Sequence, residues 1–231
     1  MLPKTKKKWP KIDIDYLKTP SIEECLKEFQ GANGNEKDLT PQFELLARKL
    51  LCGGHFEVSC CGHLIRRVYL HTIEFYYHEE YGPVKDFIVY HRNPEGKDII
   101  LPPFCIGSLN AHQSGIDITF EDWRNGNNPQ YRASALIRAV KVKEGYDESF
   151  RQFQISGKKG QSEVDTRSTY VYEYLFMGAP VSDIRVQWIQ DELTETIPVP
   201  KERLNVPQYD PQSHTKLPKT QDHRLWGYSL A

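Results

Sequence analysis

Residues 64–77 (LIRRVYLHTIEFYY) are the stretch that most limits what this chain can become. They are rich in Val, Ile and aromatic side chains and contain neither glycine nor proline. Such side chains lose rotamer freedom in a helix and pack well on a pleated surface. The stretch reads as one long strand. Just before it, Phe56, Val58 and Cys60 alternate and Gly62 supplies a turn, so the two segments together read as a β-hairpin. Further strands are expected at residues 99–101, 116–120 and 134–142.

Helices flank this β-rich centre. Phe43, Leu46, Ala47, Leu50 and Leu51 recur at the spacing of one helical face. Thr40 and Pro41 suit its start, and Gly53-Gly54 its end. Ser21 and Glu24 have the Ser-x-x-Glu spacing of a capping box, with Ile22, Cys25, Leu26 and Phe29 along one face of the short helix it opens. Residues 164–177 suit a helix or a strand. Residues 122–130, with Asn125-Gly126-Asn127-Asn128-Pro129, and 157–160 read as loops. The Pro-rich, polar C-terminal third is expected to wrap the surface. Strands in the middle with helices around them predict an α+β fold: a curved, mostly antiparallel sheet, as a roll or partial barrel, with peripheral helices. Residues 1–39 read as a tail plus short capping helix, and 40–231 as one domain.

Composition narrows the function classes. At 231 residues the chain suits one buried core. Its 13 Tyr, 10 Phe and 4 Trp favour β structure and stacking sites, or simply fill a core. The formal net charge of −1 argues mildly against a surface built for nucleic acid, where phosphate neutralisation supplies most of the affinity. Five cysteines without a CxxC pair read as reduced thiols. No apolar run approaches the roughly 20 residues of a membrane span, and the N-terminus, basic around Trp9, lacks a secretion signal. A cytoplasmic monomer with no membrane association is expected.

On the long strand Glu74 and Tyr76 lie two apart and share a face with Thr72, while strict alternation turns His71, Ile73 and Phe75 the other way. A carboxylate among aromatic neighbours is costly to bury unpaired. It either finds a partner or sits in a cleft, tuned as a general base. The histidines at 55, 63, 71 and 78 match no short ligand motif, so no metal is expected.

Several motifs resemble a known family. Leu46-Ala47-Arg48-Lys49-Leu50-Leu51-Cys52-Gly53 resembles the LAR-x-x-LG helix end of the alkyladenine (3-methyladenine) DNA glycosylases. The strand from Arg67 to Tyr76 lies where that family has RIVETEAY. Ala135-Leu136-Ile137-Arg138-Ala139 followed by Glu144-Gly145 is similar to VLLRA and EG, and Gly115-Ile116-Asp117-Ile118 stands in the place of CMNI. Gly115 to Phe120 looks like a divergent microbial branch, and Arg224-Leu225-Trp226-Gly227-Tyr228 resembles the closing PLRFY strand. The likeness is best over residues 43–145.

The resemblance implies a hydrolase that excises damaged purines from DNA without a cofactor. Glu74 would activate the attacking water and Arg138 would contact that water or the backbone beside it. Tyr76 would stack on the flipped base, His91 would hold the sugar phosphate, and Asp117, in place of an Asn, would gate the pocket. The chemistry is coherent, because a carboxylate beside an oxocarbenium-like sugar stabilises charge and activates water. The family's aromatic Y-x-Y-x-x-Y-G wedge is replaced here by residues 107–112, where Asn110 or His112 would probe the DNA. Plainer roles are a salt bridge for Arg138, a polar turn for His91, a strand-end hydrogen bond for Asp117 and core packing for Tyr76. Two other functions stay open: binding nucleic acid or protein without catalysis, and cleavage of free nucleosides.

Overall fold

The computed structural model describes residues 20–89, 104–121, 130–154, 160–180, 182–210, 212–213 and 215–231. The basic tail, the strand expected at 99–101, most of the two expected loops and His91 lie outside the described residues. Helix α1 (Pro20–Leu26) and helix α2 (Leu39–Cys52) come first. Strands β1 (Gly54–Cys60), β2 (His63–Glu79), β3 (Leu109–His112), β4 (Gly115–Thr119), β5 (Tyr131–Glu144), β6 (Phe153–Gln154), β7 (Gln161–Ser162) and β8 (Val164–Asp165) follow. After them run α3 (Val171–Phe176), β9 (Ile184–Gln190), β10 (Val199–Lys201), β11 (Pro207–Tyr209), β12 (Lys216–Gln221) and β13 (Gly227–Ser229).

The fold is α+β. Among the described residues nine strands join one antiparallel sheet, whose main path is β10-β13-β2-β5-β4-β3 and which does not close into a barrel. Strand β2 is its spine. Strand β5 pairs along nearly its whole length, while β1 and then β13 share its other edge. Helix α2 packs on one face through the expected stripe, with Phe43, Leu46, Ala47 and Leu50 all buried. Phe43 stacks on Phe75 at 4.5 Å and meets Trp226 edge-on at 5.4 Å. Ile22, Leu26 and Phe29 of the α1 region enter the same core.

Four local expectations are corrected. Helix α1 starts at Pro20, whose fixed φ suits a first turn, so Ser21 lies inside the helix and does not precede it. Helix α2 starts at Leu39, led in by a 3-10 turn at Glu36–Asp38 that Asn35 caps by accepting from the Lys37 N–H. Residues 164–177 divide into β8, a 3-10 turn at Ser168–Tyr170 and α3. The C-terminal region does not merely wrap the surface. Strand β9 extends the sheet beside β1, β13 inserts beside β2, and Trp188, Arg203 and Tyr228 are fully buried.

Alternation along β2 also slips. Val68 and Leu70 face the helices, but so do Ile73, Phe75 and Tyr77. Pairing with β5 steps from Leu70↔Val140 to Thr72↔Ala139 and then to Ile73↔Ile137. His71 is thus an extra residue on β2, and Arg138 an extra residue on β5. Two opposed bulges cancel in register and re-aim both side chains. His71 is half-buried and does not join Ile73 and Phe75 in the core, against the expectation from strict alternation.

No helix among the described residues is long and apolar enough to cross a membrane. Phe43→Ala removes the ring that joins helix to sheet. It should cost about 3–5 kcal/mol in urea unfolding, whereas Leu45→Ala on the exposed side of the same helix should stay within about 0.5 kcal/mol. Similar losses for the two variants would contradict this packing.

Candidate functional site

The sheet face away from α2 carries the chemistry. Register places Lys201, Gly227, Glu74, Leu136, Asp117 and Asn110 in one row across β10, β13, β2, β5, β4 and β3. Directly opposed residues point to the same face. Residues remote in sequence therefore meet because strand pairing leaves them no alternative.

Glu74 has no solvent exposure. Its Oε2 accepts from the Tyr76 hydroxyl at 3.0 Å and its Oε1 from the Leu204 N–H at 2.7 Å. The Arg138 Nε lies 3.6 Å from Oε1, an ion pair rather than a hydrogen bond. Both oxygens are thus partnered, which offsets the cost of burying them. Burial and the neighbouring Glu74 charge push the Tyr76 hydroxyl well above its ordinary pKa, so it stays a donor.

Next to this group lies a cavity of about 280 Å³. Tyr76, Ile88, Leu136, Leu204, Val206 and Pro207 make its apolar walls, and Arg138, Asp117, His112, Ser114 and Asn205 its polar ones. Its size is at the small end for ligand pockets. Asp117 is buried, and His112 Nε2 lies 3.1 Å from its Oδ2. The His112 Nδ1 accepts from the Ser114 N–H at 3.2 Å, which fixes the ring beside Asp117. The β3–β4 turn thereby holds Asp117 in place.

Of the residues expected from sequence, Glu74, Tyr76, Asp117, His112 and Arg138 are brought together. Tyr76, Asp117, His112 and Arg138 line the cavity, and Glu74 sits behind that lining, sealed by Leu204. Asn110 occupies the outer end of the row, opposite Asp117, and does not line the cavity. Among the described residues no group of three or more His, Cys, Asp and Glu side chains is gathered as a metal site.

Sequence reasoning missed what covers the site. Arg203 is fully buried. Its Nη1 donates to Asp86 Oδ2 and, at 3.2 Å, to the Phe75 carbonyl, and its Nη2 donates to Asp222 Oδ2 at 3.0 Å. The guanidinium also lies over the rings of Tyr76 and Trp226, at 4.7 and 5.0 Å. Asn205 then takes φ +58°, a conformation Asn tolerates better than most residues, as the chain passes from Leu204 to the buried Val206. An arginine within a Pro-rich, polar stretch reads as a surface residue, so no local signal marked it.

Compared with protein-family models, curated proteins and solved structures, the chain matches none.

Arg203→Met takes the bonded cation from buried Asp86 while Arg224 stays on Asp222, and should lower stability by about 3–5 kcal/mol in urea unfolding. An acid dependence follows as well. Burial alone would raise the Asp222 carboxyl, but hydrogen bonds from Arg224 and the charges of Arg224 and Arg203 outweigh it and hold it below its ordinary 3.8. A lowered folded-state value means that the contribution is complete above about pH 5 and lost as pH falls through the acid range below 4. Asp222→Asn should flatten that part of the stability profile; an unchanged acid slope would contradict the assignment.

Proposed function

We propose that this chain is an N-glycosidase that accepts one purine base, extruded from DNA, in the cavity beside Glu74. The observation that carries the reading is the convergence of Tyr76, Asp117, Arg138 and the buried Glu74, from three strands, on one base-sized space. Tyr76 offers an aromatic surface for stacking. Asp117 is an acceptor for an exocyclic amine or a cationic alkylated base. Arg138 is the cation at the edge of the space.

The chemistry is a hydrolysis. Glu74 takes a proton from water as the water oxygen bonds the anomeric carbon. The N-glycosidic bond breaks and the base leaves with its electron pair. Glu74 must first meet water, so Leu204 has to move off its Oε1. Motion of residues 204–206 about the anchored Arg203 is therefore a step of this mechanism, not an accessory to it.

One observation favours a second reading, base binding without cleavage: the Leu204 N–H occupies the oxygen that would take the proton, and Glu74 has no exposure. The two readings part in one experiment, base release from alkylated duplex, alkylated single strand and a nucleoside panel. Glu74→Gln should reduce release by about 10²–10⁴-fold, the usual worth of a general base, while leaving binding in place. Binding without release by the unaltered chain would select the second reading. Release that persists in Glu74→Gln would overturn the first.

A further inference from the structure

Cys60 ends β1 and Cys61 opens the turn into β2, and neither thiol serves the hydrolysis. The turn consists of Cys61 and Gly62, between the paired Cys60 and His63. Both turn residues take positive φ, +51° and +80°. That is the backbone of a tight hairpin turn whose first position favours Asn, Asp or Gly. A cysteine side chain is held there at a steric cost. Packing does not offset that cost, because Cys61 is exposed and, among the described residues, no atom would lie within 4 Å of a Cβ on Gly62. A residue held in a strained backbone without packing in return points to a role for its side chain.

The turn brings two sulfurs together. Cys60 Sγ and Cys61 Sγ lie 3.8 Å apart, both as free thiols. Two thiolates bound to one tetrahedral ion, at roughly 2.3 Å each, lie about 3.8 Å from one another. The pair therefore already spans one edge of a thiolate coordination shell. Solvent reaches it, since Cys60 is half-buried and Cys61 exposed, whereas Cys25 and Cys52 are buried. Thiolates are soft ligands and select soft or borderline ions.

We propose that Cys60 and Cys61 form a two-thiolate site for a thiophilic divalent ion of the zinc class. Binding exchanges two S–H protons for two metal–sulfur bonds, with no change of oxidation state. His63 pairs with Cys60 across the turn, but it and the thiols are not gathered as a three-donor group. The chain supplies one edge of the shell and leaves its other two positions to water or to donors from another molecule. The site is separate from the base cavity: His63 begins β2, and Glu74 stands roughly 35 Å along that strand.

The test is a titration of the reduced full chain with cadmium, read from the ultraviolet charge-transfer band of cadmium–thiolate bonds, with zinc as competitor. One ion should bind per chain, and zinc should displace it. Cys61→Asn places a residue the turn favours, so the variant should resist urea at least as well as the unaltered chain, while its cadmium affinity should fall at least about tenfold. Cys60→Ser should weaken binding alike, and Cys105→Ser should match the unaltered chain. A peptide of residues 58–65 has the same two thiols without the sheet that holds the turn, and should bind at least about tenfold more weakly. Absence of the charge-transfer band, or a band that survives undiminished in Cys61→Asn, would overturn the proposal. A peptide that binds as tightly as the chain would overturn it too, since the folded hairpin would then contribute nothing to the site.

Discussion

A guanidinium with no access to water holds this site shut. Arg203 joins Asp86, Asp222 and the Phe75 carbonyl and lies between two aromatic rings. Asp86 follows β2, Asp222 precedes β13 and Arg203 follows β10, so one ion triad ties three separated segments together. Arg224 adds a second layer, bonded to Asp222 at 2.9 Å and stacked over Trp226 at 4.0 Å. Buried triads of this kind are weak contributors to net stability, because desolvation consumes most of the attraction. Here the triad fixes where the 203–206 segment lies. It sets the Leu204 N–H on Glu74 and the Val206 side chain among Tyr76, Val89 and Leu136.

Much of the frame was legible because it rests on local rules. The α2 stripe, the β1–β2 hairpin, and the strands at 116–120 and 134–142 follow from side-chain period and glycine placement, and the structure departs from them by a few residues at the ends. The paired bulge was not legible. Nothing about His71 or Arg138 as residue types announces an extra position. The slip appears only when β2 and β5 are set side by side, as two opposed one-residue shifts that leave the ends of both strands in register. Strict alternation put His71 on the face of Ile73 and Phe75, and pairing moved it off that face.

The candidate site was legible in part for a related reason. Glu74 and Tyr76 are two apart on one strand, so their shared face can be read from sequence. Arg138 and Asp117 joined them through resemblance to a family, and cross-strand register supplies the physical cause: Asp117, Leu136 and Glu74 are successive partners in one row. Arg203 was invisible. Its place depends on two aspartates far away in the chain. Long-range charge pairing leaves no periodic trace, and a Pro-rich polar stretch has the same composition whether it floats or clamps.

The central claim is that a ligand's base enters the space between Tyr76 and Asp117, under the clamped segment. Amide chemical-shift mapping during titration with a purine nucleoside monophosphate reads this residue by residue. The account predicts shifts concentrated at Leu204, Asn205, Asp117 and Ser114, with little change along α2 on the opposite face of the sheet. No shift at those amides at saturating ligand, or shifts gathered on α2, would contradict it.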